Sequence, residues 1–344
     1  INSGECYGGN AALLGCCDVI ISTKGSSIGL TRPDLTGAVG QYGPSDIGTM
    51  STQVPNGVVD VLVDDDAAAV EAAKRYLSYF QGPVADWEPH DQRRMRHIIP
   101  EDRVRTYNVR DVIETLADKG SVMELRPDFG IGIITALMRI EGRPMGLVAN
   151  NPVHLAGAID SPGADKGTRF LELMDSFDVP VLTMMDCPGI MVGPDHEREA
   201  MVRHCARMFN VGANLTTPMF GVVIRKAYGL GVQAMCGASS LVPFFTVAWP
   251  TAEFAGMNID GGVKLSSRRE LMAIEDPEER KAAYDRKVSE AYEKARAVNS
   301  GGNAYGIDDI IDPADTRSWL IRGLKSLPAP IPRDGKKRAH VDTW

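Results

Sequence analysis

Two short glycine-bearing stretches, Tyr7-Gly8-Gly9-Asn10 and Tyr228-Gly229-Leu230-Gly231, carry the chain's best-placed groups for chemistry. Each stands between a strand-like run and a helix-like run of small residues. Glycine there lets the backbone come close to a ligand and turn free amide N–H groups toward it. The helix N-terminus behind adds partial positive charge, so an oxyanion would be stabilised at that point. A single turn of this kind is better explained as a tight corner that only needs positive φ. Two equivalent turns, each leading into a helix of small residues, reverse that preference.

Other patterns compete for the same residues. Gly229-x-Gly231-x-x-Ala234 fits a dinucleotide-binding fingerprint, with Glu253 at a suitable distance for a ribose, which would make the chain an NAD-dependent enzyme. Against it, Arg225-Lys226-Ala227-Tyr228 puts polar residues where an apolar strand-to-glycine turn is expected, and the loop at Gly8-Gly9 lacks the pattern. Gly25-x-Ser27-x-Gly29 matches a hydrolase nucleophile elbow on paper, but Thr31-Arg32-Pro33-Asp34 cannot supply the helix an elbow needs. A plain Gly/Ser turn is expected. The six histidines (His90, His97, His154, His196, His204 and His340) form no ligand cluster, and the six cysteines lack zinc spacing. No phosphate-cradling Walker loop is present, so neither a metal nor ATP is expected here.

The elements that must position the two loops read as α/β. Runs at 17–23, 145–151, 179–186, 220–226 and 244–249 are apolar throughout, as strands covered on both faces tend to be. Helical patterns over 165–177 and 197–209 lie between them, an alternation that suits an α/β fold. The Pro- and charge-rich stretch 82–105 predicts a linker, Asp276-Pro277 a helix start, and the last residues a mobile tail. An internal repeat relates 6–30 to 227–257, with Tyr7-Gly8-Gly9 facing Tyr228-Gly229-Leu230. At 344 residues two domains are expected, with 1–100 the remainder of a first domain plus linker, 101–330 a second and 331–344 a tail. The chain opens without Met, as if at a strand end, so upstream sequence is expected. A net charge of −8 argues against a general nucleic-acid binder. The apolar run 241–249 is far short of the ~20 residues that cross a bilayer, and no signal peptide is visible. Adjacent Cys16-Cys17 suit reduced thiols in a cytoplasmic protein better than a disulfide.

On the stretches 146–182, Asp186-Cys187-Pro188-Gly189, 225–235 and 245–257, the sequence resembles the carboxyltransferase family of biotin-dependent acyl-CoA carboxylases, within the crotonase superfamily. The spelling of 7–21 and 227–235 looks closest to the single-chain, multidomain long-chain branch. The resemblance implies a crotonase-like ββα superhelix of two duplicated domains, the first incomplete here. It places the active site between the first domain of one subunit and the second of another. It implies that the Gly8 and Gly9 amides hold the thioester oxygen of an acyl-CoA as it becomes an enolate, and that the Gly229, Leu230 and Gly231 loop holds the ureido oxygen of biotin. Gln233 then lines the acyl pocket, with Tyr7, Asn10, Tyr228, Ala156 and Gly157 beside the substrates. No side chain is the essential base in such an enzyme: carboxybiotin on a carrier domain supplies CO2, and its freed nitrogen takes the α-proton. The carrier and the biotin carboxylase are expected elsewhere in the full chain or on partner subunits. A homo-oligomer, a dimer of active sites built up to a hexamer, is expected, with no nucleic-acid partner and no membrane insertion. A biotin-dependent decarboxylase running the same site in reverse and a non-catalytic scaffold are the alternatives. The segment 31–48 and Leu230, where glycine is usual, depart from the family pattern.

Overall fold

The computed structural model describes residues 1–32, 47–300, 306–329 and 332–344, so most of the divergent segment 31–48 lies outside the described residues. The first layer is small. Strand β1 (Glu5–Tyr7) runs into helix α1 (Gly9–Gly15), followed by β2 (Ile21–Thr23), β3 (Ser27–Gly29), α2 (Met50–Gln53), β4 (Val61–Val63) and α3 (Asp66–Ser78). β1 pairs with β3, and β2 with β4, both in parallel. Ala11, Ile20, Ile28, Met50, Val54 and Val59 close a core of their own beneath these strands. α3 starts where Asp65 accepts the Ala68 N–H, an N-cap that replaces one missing helical bond.

The apolar runs farther along join one eight-stranded sheet. It comprises β5 (Met123–Leu125), β6 (Ile133–Ile140), β7 (Arg143–Asn150), β8 (Val181–Cys187), β9 (Met219–Tyr228), β10 (Phe245–Ala248), β11 (Glu253–Ala255) and β12 (Asp309–Ile310). β7 through β10 and β12 lie parallel, while β5–β6–β7 close one side antiparallel. Helices α4 (Val109–Leu116), α5 (Ser161–Ser176), α6 (Pro194–Arg198), α7 (Met201–Ala213), α8 (Gly229–Met235), α9 (Ile259–Ser266), α10 (Arg268–Met272), α11 (Pro277–Ala295), α12 (Ala297–Ser300) and α13 (Thr316–Ser326) surround it.

Alternate strand residues go to opposite faces, and both faces are covered. Val181 and Met185 pack toward Phe170, Met174 and Met208 of α5 and α7. Leu182 and Met184 pack toward Val112, Ile113, Leu320 and Leu324 of α4 and α13. A strand buried twice has no solvent side to mark with polar residues, which is why these runs do not alternate. Trp249, fully buried, completes the second face by donating from Nε1 to Thr316 Oγ1 at 2.9 Å.

The internal repeat is a repeat of geometry. Tyr7 ends β1, a helix follows, and β3 returns to pair with Tyr7 opposite Gly29. Tyr228 ends β9, α8 follows, and β11 returns to pair with Tyr228 opposite Ala255.

Four expectations are corrected. The stretch 82–105 is not a free linker: it holds a 3-10 helix at Gln92–His97, and Met95 and Ile99 are buried against the α4–α13 face. Helix α5 begins at Ser161 rather than 165, because Asp160 caps it by accepting the Gly163 N–H. The single helix expected over 197–209 is broken into α6 and α7 at Ala200, whose φ of 58° is left-handed. The tail is pinned: Lys337 Nζ and Arg338 Nε reach Asp175 at 2.9 and 2.7 Å, Arg333 pairs with Asp178, and Trp344 packs on Phe129. The tail's own composition, rich in Lys and Arg, gave no sign of its partners Asp175, near the end of α5, and Asp178 just beyond it. The helix expected from Asp276-Pro277 forms as α11, with Asp276 accepting the Glu278 N–H. Among the described residues no helix is long and apolar enough to cross a membrane.

Asp175 is 2% exposed and also accepts the Thr216 and Thr217 amides. Burial works to raise its pKa, but Lys337, the Thr216 amide and Arg338 hold it below the usual carboxylate value. Replacing it by Asn keeps an acceptor for the amides and removes the charge the tail docks on. Limited trypsinolysis at neutral pH should then cut after Lys336, Lys337 or Arg338 on the order of tenfold faster than in the wild type.

Candidate functional site

Asp186 is buried completely near the end of β8, where the β8–β9 register shifts between Met185 and Cys187. Such a bulge re-aims a side chain, here into a set of donors. Arg225 Nε and Tyr107 Oη each donate to its Oδ2 at 3.0 Å. The Lys226 backbone N–H donates to Oδ1 at 3.1 Å, with its Nζ 3.2 Å from the same oxygen. Burial, and then the negative charge of Asp186, pushes the Tyr107 phenol well above its ordinary range, so it stays a donor. Lys226 Nζ also donates to the Ala156 carbonyl at 2.7 Å. Ala156 sits at φ 54° and ψ 21°, so the loop it belongs to is held in left-handed backbone. Its neighbour Gly157 crosses so close to β8 that a Cβ there would stand 2.1 Å from the Asp186 carbonyl oxygen. Beyond it, Ile159 N–H donates to the Gly189 carbonyl at 3.1 Å. The ion cluster thus fixes the 156–157 loop against the 187–189 turn.

The second glycine loop joins the same place. A Cβ on Gly231 would lie 2.5 Å from Cys187 Sγ and 2.8 Å from Gly189 Cα, so α8 rests directly on that turn. Gly229 has a φ of 56°. As the first residues of α8, Gly229, Leu230 and Gly231 have amides with no carbonyl inside the helix to bond. Leu230 is 60% exposed, and Gln233 is exposed on the next turn. Together with Gly229, Leu241, Phe254 and Gly256 they line a cavity of about 420 Å³. Beneath the loop, Tyr228 Oη donates to Glu253 Oε2 at 2.6 Å, and burial, then this bond, pushes the phenol far up. Glu253 is itself buried, so the acid that the dinucleotide fingerprint needs is already spent on Tyr228. The thiols here are poor nucleophiles: burial pushes both Cys187 and Cys236 up to about 12.

The first loop has the same form on the small layer. Gly8 lies at φ 62°, and its N–H donates to the Gly29 carbonyl at 3.1 Å. The Gly8 amide is therefore engaged, and the first-turn amides of Gly9 and Asn10, both exposed, are the ones that lack an acceptor inside α1. Tyr7 is half-buried, its ring lying beside Gly29. Ser27–Gly29, the match to a nucleophile elbow, is strand β3 and carries no elbow.

The structure brings Ala156, Gly157, Tyr228, Gly229, Leu230, Gly231 and Gln233 into one region, and places Tyr7, Gly8, Gly9 and Asn10 on a different sheet. Sequence reasoning missed the roles of Asp186, Lys226 and Tyr107. Asp186 and Lys226 were visible in the stretches that carry the family resemblance, but not as partners in a buried ion cluster. His154 and His204 bond to Asp160 and Asp165, and no group of three or more His, Cys, Asp or Glu among the described residues could hold a metal.

The family described as carboxyl transferase domain matches residues 2–331. The chain is 32% identical over 338 residues to the methylmalonyl-CoA carboxyltransferase 12S subunit of Propionibacterium freudenreichii subsp. shermanii, covering 94% of this chain and 63% of that protein. It superposes on a single-chain, multi-domain long-chain acyl-CoA carboxylase with a TM-score of 0.86 at 48% identity, over 93% of this chain and 32% of that one. On a transcarboxylase 12S structure with methylmalonyl-CoA bound the TM-score is 0.83 at 30% identity, over 97% and 66%. The chain therefore spans a little under two thirds of the curated relative and about a third of the long-chain enzyme.

The bond from Lys226 Nζ to Ala156 is charge-assisted, and such bonds contribute roughly 1.5–3 kcal/mol. Lys226→Met should raise amide hydrogen exchange in residues 154–158 by about 10- to 100-fold while the α4–α13 face stays protected. Lys226→Arg, which keeps a cationic donor, should restore most of the protection.

Proposed function

The chain belongs to the carboxyl transferase domain family and has its crotonase-like α/β fold, and on that premise we propose that it transfers CO2 to the α-carbon of an acyl-CoA within a biotin-dependent acyl-CoA carboxylase. The observation that supports this most is the pair of geometrically equivalent loops, each a strand-ending tyrosine, a left-handed glycine and a short helix with free first-turn amides. The chemistry has two carbonyl-type oxygens to hold, one on the thioester and one on the ureido ring, and the chain offers two amide clusters.

Carboxybiotin, presented by a carrier domain of the full chain or of a partner, would supply both the CO2 and the base. The cavity of about 420 Å³ beside Leu230 and Gln233 has the size for a ureido-bearing ring. Leu230 and Gly231 amides hold the ureido oxygen there. Gly9 and Asn10 amides hold the thioester oxygen, and the charge that grows on it as the α-proton leaves is stabilised by dipoles already in place. The protein needs no general base of its own. Around the second loop the groups that could serve as one are withdrawn, Tyr228 by its bond to Glu253 and the two thiols by burial.

The two loops lie on different sheets, and one thioester must meet one ring. Leu230, Leu241 and Met257, all at least half exposed, lie at or beside the second loop. We assign the missing half of the site to the first layer of a second copy, whose arrival would cover these apolar side chains. The 12S relative, whose structure is described as a hexamer assembly, supports a homo-oligomer of this kind.

Gly9 lies outside left-handed φ, and a Cβ there would meet nothing within 4 Å, so its replacement strains nothing in the chain. Gly9→Val should fold normally by circular dichroism and lose about 10²–10³-fold in kcat/KM for acyl-CoA carboxylation. Near wild-type turnover would remove the first loop from the site. Leu230→Pro deletes one amide in a first helical turn, where proline is tolerated, and should impair release of CO2 from carboxybiotin while acyl-CoA binding persists. The resemblance also sets Gln233 beside the acyl chain, at the edge of the ring cavity, so exchanging it for Ile should change the ratio of kcat/KM between propionyl-CoA and a long-chain acyl-CoA, each substrate methylene being worth roughly 1–3 kcal/mol. Unchanged ratios would make Gln233 a brace of α8.

A further inference from the structure

Between α5 and strands β5 and β6 lies a small cavity of about 10 Å³ that the proposed reaction does not use. Its polar lining is Asp60, Arg126, Thr135, Lys166 and Arg169. Lys166 is 2% exposed, Arg126 7% and Arg169 5%. Lys166 Nζ, Arg126 Nη1 and Arg169 Nε are all buried without a hydrogen-bond partner. The one carboxylate is committed: Asp60 Oδ1 accepts from Arg126 Nε at 2.8 Å and Oδ2 from the Ile20 amide at 2.7 Å. Thr135 donates its hydroxyl to the Leu125 carbonyl at 3.0 Å. Nearby, Glu124 is paired with Arg110, and Asp18 and Asp128 are exposed.

We propose that this cavity is a structural site for one small monovalent anion of the halide class, tying the first layer to α5. The charge balance points that way, since three cationic side chains face a single carboxylate. The donor count points the same way. Three orphan N–H groups belong to side chains lining one small cavity, and a water could accept from only two of them. An anion accepts from all three. Size selects among anions: the space suits about one water-sized occupant, which a halide approximates and a sulfate or phosphate exceeds. Burial lowers the Lys166 ammonium to about 7, with Arg110 and Arg126 acting the same way and Glu124 and Asp128 against it. A bound anion would keep that lysine charged. The occupant would bridge distant segments, because Arg126 holds Asp60 and Arg169 holds the Cys17 carbonyl at 3.2 Å.

The test uses the full-length protein. Crystals grown or soaked in bromide should give an anomalous peak within hydrogen-bonding reach of Lys166 Nζ, Arg126 Nη1 and Arg169 Nε. Water density alone, an empty cavity, or bromide only at the surface overturns the proposal. In solution at pH 6, where Lys166 is protonated, the unfolding midpoint should climb with the logarithm of chloride or bromide concentration at constant ionic strength, by linkage. Replacement by gluconate or sulfate should remove the rise. Lys166→Met should fold, lie outside the reaction machinery and lose the halide response. A wild type indifferent to halide, or a variant that responds as strongly, overturns it.

Discussion

A carboxylate with no access to water has to be compensated where it stands, and Asp186 is compensated by groups from two separate parts of the chain. Arg225 and Lys226 come from β9, and Tyr107 from the segment before α4. Burying an ion costs several kcal/mol unless its partners are well aligned, and removing one member of such a set typically costs about 3–5 kcal/mol. The alignment has a structural consequence. β8 must bulge to aim Asp186, β9 must present consecutive cations, and Lys226 has enough reach left to take the Ala156 carbonyl. The 156–157 loop, the 187–189 turn and the α8 glycines then have no independent freedom, since each lies within contact of the next.

The two glycine loops express one solution to one steric problem. In both, a parallel strand returns to pair with the tyrosine, and the next residue must leave the sheet in left-handed backbone. Glycine is the residue that does so without strain. What differs is the surroundings. Gly229 and Gly231 are hemmed in by Gly256, Cys187 and Gly189, whereas a Cβ at Gly8 or Gly9 meets nothing within 4 Å. The second loop is shaped by packing inside the chain, and the first is left open toward whatever approaches it.

The parts legible in the sequence were those governed by local periodicity and by short fixed motifs. The doubly buried strands betrayed themselves by lacking alternation, and the repeat by its Tyr-Gly spacing. β6, the antiparallel partner of β7, went unread because Arg139 interrupts its apolar run, although that side chain is satisfied by the Gly82, Gly142 and Ser78 carbonyls. The break at Ala200 carries no signal, as alanine favours helix and only tertiary placement of α6 and α7 forces it left-handed. The tail and the stretch 82–105 were misread for one reason: their charges find partners far away in sequence, Arg338 at Asp175 and Arg96 at Asp312. Of the site, the glycines were visible because backbone needs announce themselves locally. The pairing of Asp186 with Arg225, Lys226 and Tyr107 was not, since a buried ion pair is defined by its partners.

The two loops also differ in how a thiol reagent or oxidant would find them. Cys187 and Cys236, under the second loop, are buried and held as thiols, the form that reacts least. Cys16 and Cys17 are exposed at the far end of α1, the helix that Gly9 begins. Sulfenic acid formation or alkylation would therefore start on the first loop's helix and leave the second untouched. Oxidative damage to this protein would be felt first beside the first glycine loop, while the second stays chemically silent.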